Sequence, residues 1–125
     1  MNDLLKIFLE LQERKVKDEE KKNYFFDINK LIWWFDGEVK EAKDEIKRNN
    51  SVYLEDELGD IFWTYMRLLY SLEKEWYIDA KRVFERCETK FRQRVEAVEN
   101  DISWDDIKTL QKETLEKEHK KRYLK

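Results

Sequence analysis

Four carboxylates fall in two pairs of equal spacing: Glu38 and Glu41 in the stretch GEVKE, Glu57 and Asp60 in the stretch ELGD. A separation of three residues puts both members of a pair on one helical face, about one turn apart. Each pair borders an apolar seam, Glu38 between Phe35 and Val39, and Glu57 with Asp60 around Leu58 and Ile61. If the two helices that carry them are antiparallel neighbours, the pairs converge into one site of four carboxylates. Unit charges about 4 Å apart at an effective dielectric of about 20 repel by roughly 4 kcal/mol, so such a cluster calls for a cation. Carboxylate oxygens with no His or Cys beside them specify a hard ion, Mg2+ or else Mn2+, rather than zinc. A di-iron bundle needs Glu-x-x-His on two helices, and the sole histidine is His119, in the charged C-terminal stretch. The competing reading is plain surface charge on a helical interaction module, since a chain that is 44% charged produces acidic pairs freely.

The elements that must position these pairs are helical throughout. Ile28, Ile32, Phe35, Val39, Ala42 and Ile46 recur at spacings of 4, 3, 4, 3, 4, a heptad-like seam. Asn49 and Asn50 stop it, and Ser51 is a suitable N-cap for the next helix. Leu54, Leu58, Ile61, Tyr65, Leu68 and Leu72 repeat the pattern, so the two seams read as an antiparallel pair. Before them, Leu4, Ile7, Phe8 and Leu11 mark a short amphipathic helix over residues 1–13, and Arg14 to Lys22 reads as a solvated helix end or linker. After them, Ala80, Phe84, Cys87, Phe91, Val95 and Val98 line a fourth helix, with Cys87 expected as a buried small hydrophobe. Ser103 and Asp106 form a capping-box-like start to a charged last helix over residues 103–120, which lies outside or docks on a partner. The expectation is one all-α domain over residues 1–125, a four- to five-helix bundle whose two long central antiparallel helices carry the acidic motifs. Gly59 costs about 0.5 to 1 kcal/mol inside a helix and suggests close approach of metal, phosphate or a neighbouring helix.

Composition narrows the function. With 125 residues, 26 Lys+Arg and 29 Asp+Glu, the net charge of -3 leaves no basic face for polymeric nucleic acid, although free nucleotides need only a few local cations. Two Gly and no Pro argue against a turn-rich fold. The single thiol, Cys87, excludes an internal disulfide framework and fits a reducing, cytoplasmic location. No apolar run is long enough to span a bilayer, so no membrane association is expected. Five Trp, six Tyr and seven Phe exceed what such a protomer needs for its core, which points to a homodimer or homotetramer. Trp63 and Trp76 are assigned to core or interface and Trp104 to the start of the last helix.

The segments GEVKE (Gly37 to Glu41), ELGDIFW (Glu57 to Trp63) and KFRQRVEAVE (Lys90 to Glu99) together resemble the MazG-like nucleotide pyrophosphohydrolases of the all-α NTP pyrophosphatase superfamily. The resemblance runs from about Trp33 to Glu99, with three motifs in the family's order. It departs at Gly37, which stands where the family's acidic motif opens with a Glu, and Asp36 or Asp56 is the nearest substitute. The resemblance implies that Glu38, Glu41, Glu57 and Asp60 hold Mg2+ and that Lys90 and Arg94 contact the triphosphate. It implies hydrolysis of a nucleoside triphosphate, ribo or deoxy, to the monophosphate and pyrophosphate, as in nucleotide-pool house-cleaning. A related dUTP or dCTP pyrophosphatase is the close alternative. Trp33 and Trp34 precede the first acidic motif by one turn, and Trp34 is the candidate for stacking on the base.

Overall fold

A computed structural model describes residues 2–124; Met1 and Lys125 lie outside the described residues. Among the described residues there are five helices and no strand: α1 (Asn2–Lys21), α2 (Ile28–Asp44), α3 (Ser51–Lys74), α4 (Ala80–Glu99) and α5 (Trp104–Tyr123). No helix among them is long and apolar enough to cross a membrane. The fold is all-α, as the apolar periods require, and it divides after Ala80 into two compact units.

In the first unit α2 and α3 are the expected antiparallel pair: the Phe35 ring meets Tyr65 at 6.1 Å between centroids, while Glu41, further along α2, meets Glu57, earlier on α3. Asp27 caps α2 by accepting from the Lys30 backbone N–H at 2.8 Å. The turn between the two helices departs from expectation by one residue. Ser51 is the first residue of α3, and Asn50 occupies the cap position with its side chain turned back onto α2. Its Nδ2 donates to the Glu45 carbonyl (2.8 Å) and carboxylate (2.7 Å), tying the start of α3 to the end of α2.

Helix α1 runs to Lys21, beyond the expected end at residue 13, and the charged stretch after Arg14 is neither linker nor wholly solvated. Its inward line is Phe8, Gln12, Val16 and Glu19, whereas Leu4, Ile7 and Leu11 remain exposed. Phe8 packs edge-on against Phe62 at 5.0 Å, Gln12 Nε2 donates to the Trp63 carbonyl at 2.9 Å, and Glu19 accepts both ends of the Arg67 guanidinium at 2.8 and 2.6 Å. These partners ascend together in sequence, so α1 runs parallel to α3. The periodicity missed this face because two of its members, Gln12 and Glu19, are polar and yet buried.

With no proline and both glycines inside helices, the helix ends use other residues in the left-handed region: Asn23 (φ 60), Asn49 (φ 57), Trp76 (φ 68) and Asp101 (φ 61). At three of them the following N–H closes back on the helix: Tyr24 to the Glu19 carbonyl, Tyr77 to Leu72 and Ile102 to Ala97. Trp76 sits at such an end with 94% of its surface exposed, so it is not in this chain's core.

The second unit is the hairpin of α4 and α5. Arg86 forks onto Glu118 at 3.0 and 2.5 Å, and Arg94 Nε donates to Gln111 Oε1 at 2.8 Å, which makes the two helices antiparallel. Ser103 caps α5 by accepting from the Asp106 N–H at 3.1 Å, as the capping-box pattern predicts. No residue of α5 is buried. Cys87 is exposed, contrary to the expectation of a buried thiol, because the stripe it shares with Phe91, Val95 and Val98 is itself uncovered.

Candidate metal centre

Where α2 nears its end and α3 completes its second turn, the two acidic pairs meet. Carboxylate oxygens of Glu38, Glu41 and Glu57 lie within 4.8 Å of one another, and so do those of Asp56, Glu57 and Asp60. Glu57 belongs to both trios and joins them into one cluster. The cluster forms because α2 turns its half-buried line toward α3, and that line includes Glu38 between Phe35 and the buried Ala42. The predicted seam and the packed face are therefore offset: Ala42 is common to both, while Val39 and Ile46 stay exposed.

The electrostatics follow from this placement. Glu38 and Glu57 are half-buried, whereas Glu41, Asp56 and Asp60 are exposed. Burial, reinforced by the charge of Glu41 and then by Asp60 and Glu57, pushes the Glu38 carboxyl up to about 6. Glu57 is raised for the same first reason, with Glu41, Asp60 and Asp56 adding to it. One oxygen of each, Glu38 Oε2 and Glu57 Oε2, is shut off from solvent without a hydrogen-bond partner. A buried acceptor left unpaired costs on the order of 1–3 kcal/mol, and more when charged. Converging hard oxygens, two of them buried and unpartnered, with no ion pair to the cluster among the described residues, fit a divalent hard ion.

Of the other candidates, Trp34 shares the α2 face of Glu38 and Glu41, four residues before Glu38 with Glu41 three further on, and its ring meets Phe26 at 4.7 Å between centroids, tilted by 53°, with Lys30 Nζ 5.9 Å from the ring. Trp33 is exposed, with Lys30 Nζ at 5.6 Å. Lys90 and Arg94 belong to the second unit. There Arg94 is half-buried over the rings of Phe91 (5.3 Å) and Trp104 (5.2 Å), and Lys90 lies 5.7 Å from Phe91. Gly59 makes no close approach in this chain: a Cβ built there meets nothing within 4 Å, and the same holds at Gly37. Asp56 enters the cluster where spacing alone assigns Glu57 and Asp60. It lies in EDELGD beside Glu57, and of the two carboxylates that the sequence offers near the position of Gly37, Asp36 and Asp56, it is the one found in these trios.

The family described as the MazG nucleotide pyrophosphohydrolase domain matches residues 26–99. This chain belongs to that family. The match begins just before the α2 cap, covers α2, α3 and α4, and contains all five carboxylates of the cluster. No curated protein and no solved structure matches the chain. Its MazG character thus rests on the family match together with an all-α architecture in which the two acidic helices are paired.

Proposed function

We propose that the protein is a Mg2+-dependent nucleoside triphosphate pyrophosphohydrolase, producing the nucleoside monophosphate and pyrophosphate. The observation that carries this reading is the cluster of Glu38, Glu41, Glu57 and Asp60, with two buried oxygens that have no partner, in a chain of the MazG family. In this reading those four residues, with Asp56 beside them, hold the ion. Bound there, Mg2+ supplies charge neutralisation for phosphate oxygens and acidifies a water for attack. Manganese, with the same preference for oxygen ligands, substitutes for it.

The chain's own contribution is positioning. The Asn50 clamp between α2 and α3 fixes the register that sets Glu41 against Glu57. Trp34, one turn before Glu38 on the same face, provides an aromatic surface for the base. Lys90 and Arg94 supply positive charge for the triphosphate from one face of α4.

A pyrophosphate-release assay over the common NTPs and dNTPs, with and without Mg2+ and with the nucleotide products resolved, tests the reading. Metal-dependent formation of monophosphate is the expected result, and Glu41→Gln and Asp60→Asn should each abolish it while leaving helicity intact. Full activity in either variant, or no turnover of any nucleotide with Mg2+ present, refutes the assignment and favours a non-catalytic helical module.

A further inference from the structure

The α4–α5 hairpin fastens two of its arginines in opposite ways. Arg86 spends both Nη atoms on the Glu118 carboxylate, at 3.0 and 2.5 Å, so its charge is cancelled within the chain. Arg94, about two turns further along α4, is held through Nε alone, which donates to Gln111 Oε1 at 2.8 Å. Its guanidinium carbon lies 5.3 Å from the Phe91 ring and 5.2 Å from the Trp104 ring, within the range of cation–π attraction. Neither Nη atom of Arg94 donates to a protein acceptor among the described residues, and Arg94 makes no ion pair there. By contrast Arg86, Arg92 and Arg122 of the same hairpin each meet a glutamate.

The Gln111 amide has one orientation that suits its neighbours. Its oxygen faces the Arg94 Nε–H, while Nε2 donates to the Lys90 carbonyl at 2.9 Å and to Gln93 Oε1 at 3.0 Å. Turned over, it would set donor against donor and acceptor against acceptors. The amide therefore buckles the turn of α4 that carries Lys90 and Arg94, and it is half-buried there. A glutamate at 111 would offer the same acceptor but would cancel the arginine's charge, as Glu118 does at Arg86. A neutral acceptor fixes the side chain and leaves the charge, with both ends of the guanidinium fork open to the paired oxygens of a phosphate.

We infer that Gln111, together with the Trp104 ring, is a positioning residue for substrate, presetting Arg94 as a two-pronged phosphate ligand. The inference rests on the proposed pyrophosphohydrolase reading, in which Arg94 meets the triphosphate, and it extends that machinery to α5, beyond the matched residues 26–99. A long side chain loses rotamer freedom when it grips a ligand, and an arginine already ordered by its neighbours has lost that freedom in advance.

The test is calorimetric titration of the full-length protein with inorganic triphosphate in the presence of Mg2+, beside steady-state kinetics on whichever nucleotide turns over best. Gln111→Leu should weaken triphosphate binding about three- to tenfold, the effect of one lost hydrogen bond, and raise KM by the same factor with kcat within about twofold. Gln111→Glu keeps the acceptor and should melt no lower than the wild type, yet should weaken triphosphate at least about tenfold, a loss that a purely structural role does not produce. In an Arg94→Lys background, which has no guanidinium to orient, Gln111→Leu should have no further effect. Unchanged affinity and KM in Gln111→Leu or Gln111→Glu, or full additivity with Arg94→Lys, overturns the inference and leaves the proposed activity standing. If triphosphate binds while no nucleotide turns over, the proposed activity fails and the binding comparisons alone decide the role of Gln111. A wild type that neither binds triphosphate nor turns over any nucleotide overturns both.

Discussion

Replacing Glu38 by Gln keeps the shape of the side chain and removes one charge from the trio in which carboxylate oxygens lie within 4.8 Å of one another. At that separation each like-charge pair is worth about 0.9 kcal/mol in bulk water and about 3.5 kcal/mol at an effective dielectric of 20. Glu41 is exposed and Glu38 and Glu57 only half-buried, so the lower part of this range applies. Relief of the repulsion from two neighbours then comes to roughly 1–2 kcal/mol. In EDTA at neutral pH and low salt, Glu38→Gln should therefore be more stable than the wild type. For a chain of this size, that corresponds to a rise in Tm of about 4–8 °C.

The pH dependence carries the same signature. The Glu38 carboxyl, raised to about 6 in the folded chain from an ordinary value of 4.5, holds its proton more tightly when folded. Between those two values the folded state binds more protons than the unfolded one. Its contribution to stability is thus complete below pH 4.5 and is lost as pH rises through 6. Added Mg2+ should stabilise the wild type by about 2.7 kcal/mol at a hundred times its dissociation constant. The same ion should do little for Glu38→Gln, and little for the wild type once Glu38 is protonated below pH 6. Urea denaturation with and without EDTA, over pH 4.5 to 8, reads all of these effects. A Glu38→Gln protein that is less stable than the wild type in EDTA, or that keeps the full Mg2+ response, refutes the argument.

Other perturbations draw on the same geometry. Arg67→Ala strands the Glu19 carboxylate in the interior and should cost about 3–5 kcal/mol, whereas joint replacement of Glu19 and Arg67 by Gln and Met should cost less; chemical denaturation separates the two. Gly59→Ala has room for its Cβ and should stabilise the protein by about 0.5–1 kcal/mol, with a calorimetric Tm as readout. Gly37→Glu, also free of clash, should lower stability in EDTA and tighten Mg2+ binding by on the order of tenfold in a titration calorimeter. Trp76→Gly relieves a left-handed backbone at an exposed side chain and should raise stability by about 1 kcal/mol in urea denaturation.

The acidic cluster was legible because its signal is local. A spacing of three within each helix, plus a short break between two helices of similar period, leaves one antiparallel arrangement in which the pairs meet, and it brings Glu41 to Glu57. What periodicity hid was which stripe of each helix packs. On α2 the apolar seam and the buried line share Ala42 but diverge at Val39, because apolar side chains that the chain leaves exposed have the same periodicity as those it buries. On α1 the buried line contains Gln12 and Glu19, whose burial depends on the Trp63 carbonyl and the Arg67 guanidinium, both more than forty residues away in sequence. A polar residue reads as solvated until its partner is known. Cys87 is the converse, an apolar-stripe residue whose stripe has no cover.

Within α3 a single polar stripe separates structural charge from charge that awaits a ligand. Glu57, Asp60, Thr64, Arg67, Ser71 and Lys74 succeed one another at spacings of 3, 4, 3, 4, 3 and share one face. Toward the C-terminal end every charge is answered by the protein. Arg67 forks onto Glu19 and donates through Nε to Ser71, Lys74 meets Glu20 at 2.9 Å, and even Thr64 donates to the Asp60 carbonyl. Toward the N-terminal end the carboxylates crowd one another with no ion pair among the described residues, and Glu57 keeps an oxygen that is buried and unpaired. Burying Arg67 without Glu19 would be unfavourable, as the crowding at Glu57 is, yet an ion pair answers the charge at one end and none does at the other among the described residues. Both ends belong to the same helix, face and composition, so propensity and charge content do not explain the contrast. A cation from outside the chain at Glu57 would, and the denaturation experiment with and without Mg2+ is the test of that requirement.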